Sequence, residues 1–152
     1  MATWAEFEAA APEMAGAGRR LIYRTKIGEA FLGTVRGDGL PRIHPIYVAI
    51  LGGRLVAFML SSPKGTDLAE DGRFALHAHQ DPAAPHEFVV RGQAHPVDDE
   101  EGRRPAVEAW YFDVDDAGHR LFEFEIEHAI LGERATADDW PPRYTSWRSD
   151  GA

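Results

Sequence analysis

At 152 residues, 44% of them hydrophobic, the chain has the size of one ordinary domain, able to bury a core without metal or disulfide staples. A formal charge of −9 opposes binding to nucleic acid or anionic lipid, and the absence of cysteine excludes thiol nucleophiles, thiolate metal sites and disulfides. No basic segment followed by an apolar run opens the chain, and no stretch approaches the roughly 20 apolar residues of a membrane span, so a soluble, cytoplasmic protein is expected.

Thr3-Trp4-Ala5-Glu6 has the spacing of a capping box and predicts a short helix to about Ala10, and Pro12 opens a second helix to about Tyr23. The pattern then turns extended. Ala30 to Arg36 reads as a strand, Gly37-Asp38-Gly39 as a tight turn and Pro41 to Ile50 as a second strand. Gly52-Gly53 leads into a third strand, Arg54 to Leu60, by a connection too short for a crossover helix, so these strands are expected to be antiparallel. A short helix within Ser61 to Gly72 precedes a fourth strand, Arg73 to His79, and a fifth, Glu87 to Val97, with Pro82 and Pro85 in the loop between them. Asp98-Asp99-Glu100-Glu101 favours a helix start, and that helix is expected to carry Val107, Trp110 and Tyr111 inward.

Leu121 to Leu131 alternates as a last strand, with Phe122, Phe124 and Ile126 on a packed face and Glu123, Glu125 and Glu127 on a wet one. Six strands with few long crossovers suit a mainly β protein, a closed or partly closed antiparallel barrel with peripheral helices. One domain is expected, with helices in 1–23, the barrel in 29–131 and a tail in 132–152. The tail carries Trp140, Pro141, Pro142, Tyr144 and Trp147, which are expected to staple it to the barrel or to a neighbouring subunit.

Ser61-Ser62-Pro63-Lys64 joins a strand end to a helix start. Ser62 fits the N-cap and Pro63 the first helical position, so free N–H groups and a positive dipole end sit beside two hydroxyls and a lysine. Such a start can hold a phosphate, but a plain capped helix with a solvated lysine is the commoner meaning of this pattern. Arg42-Ile43-His44-Pro45-Ile46-Tyr47 places a proline inside a strand, which signals an edge or a break in pairing. Either an edge protected from aggregation or backbone groups open to a planar heterocycle, with Arg42 adding charge for a phosphate, fits that pattern. His77 and His79 share one face of a strand but are only two ligands, so a solvated face or a dimer contact is expected there and no metal site.

From about Arg20 to Val97, the order of elements and their local sequences resemble the pyridoxamine 5′-phosphate oxidase-like family of flavin-binding split barrels. That resemblance implies a six-stranded split barrel that binds FMN as a homodimer, each site taking residues from both subunits, and that acts as an oxidoreductase on a small-molecule substrate. It implies that Arg42, Ile43, His44, Pro45, Ile46 and Tyr47 run along the cofactor, with Met59, Leu60 and Ser61 lining it. Ser62 and Lys64, with Arg42, would hold its phosphate. Glu87 falls where the family's oxidases often carry a glutamine, and a carboxylate cannot donate as an amide does. The family also includes deazaflavin (F420) reductases and haem-binding members, so F420 and haem stand as alternative cofactors, and a binding module without turnover stands as an alternative function.

Overall fold

The computed structural model describes residues 1–114 and 118–150. The chain opens with α1 (Trp4–Ala10) and α2 (Pro12–Ile22). The capping box forms as the spacing predicts: Glu6 N donates to Thr3 Oγ1 at 3.2 Å and Thr3 N donates to Glu6 Oε2 at 2.7 Å. α2 lays its small-residue side on the barrel, where Gly18 lies so close to the Phe88 ring that a Cβ would stand 2.4 Å from a ring carbon.

Among the described residues eight strands follow, instead of the expected six. They are β1 (Glu29–Val35), β2 (Pro41–Tyr47), β3 (Ala49–Leu51), β4 (Arg54–Met59), β5 (Arg73–Ala78), β6 (Glu87–Pro96), β7 (Arg120–Glu133) and β8 (Arg143–Arg148). α3 (Pro63–Glu70) lies between β4 and β5, and α4 (Glu100–Ala109) between β6 and β7. Among the described residues these strands pair antiparallel throughout, in the order β2-β1-β5-β6-β7-β4-β3, with β8 on the far half of β7.

Two corrections to the strand count have physical causes. The run expected as one strand from Pro41 to Ile50 bends at Val48, and its two parts join opposite ends of the sheet order. With a single residue between them, those ends can meet only if the sheet curls on itself, which makes the split barrel. A hydrogen-bond knot fixes the corner: Gly28 N donates to Tyr111 Oη (3.0 Å), Tyr111 Oη donates to Val48 O (2.7 Å) and Val48 N donates to Gly28 O (2.9 Å). Gly28 tolerates no side chain there, since a Cβ would lie 2.0 Å from Val48 O. The second added strand is β8, which lies in the tail and pairs with His128 to Glu133, while the opening residues of β7 pair with β4. β7 therefore forks between two partners. Gly151 and Ala152, the last residues of the expected tail, lie outside the described residues.

Phe122, Phe124 and Ile126 are buried as their alternation predicts, packed in the core with Leu32, Leu76 and Val90. Glu123 does not face water: it is 9% exposed, accepts from Arg54 Nε at 2.8 Å and lies 3.2 Å from His95 Nε2. Strand β4 pairs across this stretch of β7, and Arg54 also reaches Gly102 O in α4, so the acid is covered and compensated by a cation. Trp4, Phe7 and Phe88 form an edge-and-stack aromatic group under α1, closed by Trp147 of β8 at 5.0 Å from Phe7. Thus the tail is stapled to its own barrel.

Candidate functional site

Where β4 ends, Met59 is buried and the chain leaves the sheet through exposed Leu60 and Ser61. Ser62 caps α3 as its sequence predicts, its Oγ accepting from Gly65 N at 3.4 Å, and Pro63 occupies the first helical turn without a wasted donor. A cleft of about 310 Å³ opens over this start, lined by Leu60, Ser61, Ser62, Thr66, Glu70 and Arg120. That volume is at the small end of the roughly 300–1,000 Å³ typical of ligand sites. Arg120, which no local motif announces, reaches the cleft from the first position of β7 and is held by Asp98 through two bonds of 3.1 and 2.9 Å.

Helical geometry turns Lys64 to the other side of α3, one turn before Asp67. Asp67 is buried. Its Oδ2 accepts from Thr34 Oγ1 at 2.7 Å and from Arg42 Nε at 2.8 Å, which draws Arg42 of β2 up to α3. Burial raises the carboxyl's pKa, but the two hydrogen bonds and the charges of Arg42 and Arg36 outweigh it and hold it below the ordinary carboxylate range. Thus Arg42 is held at Asp67, one helical turn after Lys64, with Ser62 at the start of the helix. Neither Asp67 nor Thr34 belongs to a recognisable motif, because the contact joins three elements distant in sequence.

Strand β2 is an edge strand, as Pro45 suggests, and its pairing with β1 runs unbroken from Glu29 opposite Tyr47 to Val35 opposite Pro41. Its side chains divide by alternation. Arg42, His44 and Ile46 are half-buried on the face turned to α3, and Pro41, Ile43, Pro45 and Tyr47 stand on the exposed face. The side chains of Arg42 to Tyr47 therefore cannot all line one ligand. His44 Nε2 is buried with no hydrogen-bond partner among the described residues.

Glu87 stands at the other end of the barrel. Met59 lies opposite Arg120 and Glu87 opposite Gly132, so the two are separated by the length of β7, about 40 Å of extended chain at ~3.3 Å per residue. There Glu87 Oε2 accepts from Tyr144 Oη at 2.7 Å, a bond that, first among its causes, pushes the phenol's pKa up. His79 stacks on Phe31 at 4.3 Å with Glu29 3.6 Å away, and His77 Nδ1 lies 2.6 Å from Ala78 O.

The fold is that of the split-barrel proteins related to pyridoxamine 5′-phosphate oxidase. Among solved structures, the chain is similar to a protein related to general stress protein 26, of the pyridoxinephosphate oxidase family, from Clostridium acetobutylicum. The TM-score is 0.67 at 13% identity, over 91% of this chain and 96% of that one. It is similar also to PhzG from Burkholderia lata, solved with tetrahydrophenazine-1-carboxylic acid, with a TM-score of 0.65 at 16% identity over 95% of this chain and 87% of that one. A haem-binding protein from Mycobacterium smegmatis gives a TM-score of 0.62 at 18% identity over 85% of this chain, which spans 57% of that protein's length. No protein-family model and no curated protein matches the chain.

Proposed function

We propose that the chain is an FMN-binding oxidoreductase that works as a homodimer. The observation that carries this reading is that Asp67 draws Arg42 up to α3, one turn after Lys64 and the Ser62-capped helix start, at the edge of a split barrel. The residues fit the group. The helix start offers the Lys64 N–H and a positive dipole end, Lys64 adds charge and Arg42 adds guanidinium N–H donors for a phosphate, and the orphaned His44 Nε2 offers a polar contact to the rest of the molecule. Bound flavin would supply hydride and electron transfer. The chain's own residues would bind and orient it, while Met59, Leu60 and Ser61 border the helix start from the cleft side, across α3 from Lys64.

Two features support a second copy. Phe31, Ile43 and Tyr47, exposed by 41, 71 and 47%, form one outward apolar face with Pro45, the kind of patch that a partner covers. Glu87 pairs at the far end of β7 from Met59, so a contact from Glu87 to the ligand would come from a second copy's strand end. The haem-binding neighbour, together with the free His44 Nε2, favours haem as the second reading. F420, with its acidic tail, would require a basic channel on a chain of charge −9.

Titration of FMN against Lys64→Ala and Arg42→Ala tests the reading. A charge-assisted bond is worth ~1.5–3 kcal/mol, so each variant is expected to lose roughly tenfold to a hundredfold in affinity. Unchanged affinity in both would overturn the phosphate assignment.

A further inference from the structure

We infer that Asp67 sets how strongly this site prefers a phosphorylated ligand over its unphosphorylated counterpart, by holding Arg42 in an ion pair and so removing its net charge from the site. This rests on the flavin reading above. Arg42 is not a free cation: its Nε donates at 2.8 Å to a carboxylate whose side chain is 7% exposed, while its own side chain is 28% exposed. A phosphate approaching α3 from the Lys64 side would meet the guanidinium and, immediately behind it, the opposite charge. Because Asp67 is buried, water screens that charge poorly, and its repulsion of an anion a few ångströms beyond Arg42 persists.

The packing role of Asp67 does not require an ionised group. Thr34 Oγ1 and Arg42 Nε both donate to the same oxygen, Oδ2, and the amide oxygen of an asparagine would accept both bonds. Charge is what separates the two residues at this position, and an ionised carboxylate costs more to bury than an amide. Arg42 and Asp67 together are neutral, and nearby Arg36 is paired with Asp38 at 3.0 Å, so Lys64 and the dipole of α3 are left as the net attraction for a phosphate. The neutral remainder of the ligand feels little of this.

Asp67→Asn in the full chain, titrated with FMN and with riboflavin by quenching of flavin fluorescence, isolates the effect. FMN is expected to bind about five- to tenfold more tightly than to the natural chain, with riboflavin changed less than about twofold. An FMN-to-riboflavin affinity ratio that stays the same or falls would overturn the inference while leaving the flavin reading in place. The unaltered chain tests the same point should the variant not fold. Its preference for FMN is expected to be modest, about tenfold to a hundredfold, and a preference above about a thousandfold would overturn the inference. Arg42→Ala alone, which leaves Asp67 unpaired, is expected to bind FMN less well than Arg42→Ala combined with Asp67→Asn; equal affinities would contradict it. If no form binds either flavin, the flavin reading falls, and this inference falls with it.

Discussion

His128 sits in β7 between two arginines. Its Nδ1 lies 2.6 Å from Arg91 Nη2, a contact in which the ring nitrogen accepts, and Arg148 stands opposite it on β8. Burial, and then the charges of Arg148 and Arg91, push its pKa below the ordinary histidine value. The unfolded chain therefore takes up this proton first as pH falls from about 6.5, and the stability tied to neutral His128, complete above that pH, is lost on the acid side. His128→Gln is expected to flatten the fall in melting temperature below about pH 6.5 relative to the natural chain. An unchanged slope would contradict a buried, neutral histidine. Residues of this kind are the least legible from sequence. Ser62 and Pro63 announce themselves because capping is a local event, whereas Asp67, Thr34 and Arg120 acquire their roles from partners brought in by other elements.

Among the elements, the corner at Val48 decides whether the sheet closes. Tyr111 links Gly28 N to Val48 O through one hydroxyl, so Tyr111→Phe strips a partner from two backbone groups. Each unsatisfied buried group costs about 1–3 kcal/mol, and denaturant unfolding of the variant is expected to show a loss of that order. Gly28→Ala is expected to lose more, because its Cβ would strike the Val48 carbonyl at 2.0 Å. A fully stable Gly28→Ala would contradict the corner as described. The hairpin turn at Gly37-Asp38-Gly39 and the alternation of β7 were readable, because turn chemistry and a period of two are local signals. The bend at Val48 was not readable: nothing between Tyr47 and Ala49 breaks a strand pattern, and the bend comes from Gly28 and Tyr111. The strand β8 escaped for a similar reason, since its residues are mostly exposed and only Trp147 packs inward.

The whole molecule places Ser62, Lys64 and Arg42 at one end of a split barrel and Glu87 at the other, with an apolar face exposed along β1 and β2. If that face joins two copies, the chain in solution has twice the mass of one chain, and light scattering is the direct check. Replacing Ile43 and Phe31 together by aspartate is expected to yield monomers that have also lost FMN affinity. A monomeric natural chain that binds FMN tightly would contradict the shared site. The central claim, that this split barrel holds FMN, is met most directly by the visible absorption spectrum of the purified protein, with mass spectrometry of whatever small molecule acid releases. A flavin spectrum with released FMN is the expected result. A colourless protein that also ignores added FMN, or a haem spectrum in its place, would contradict it.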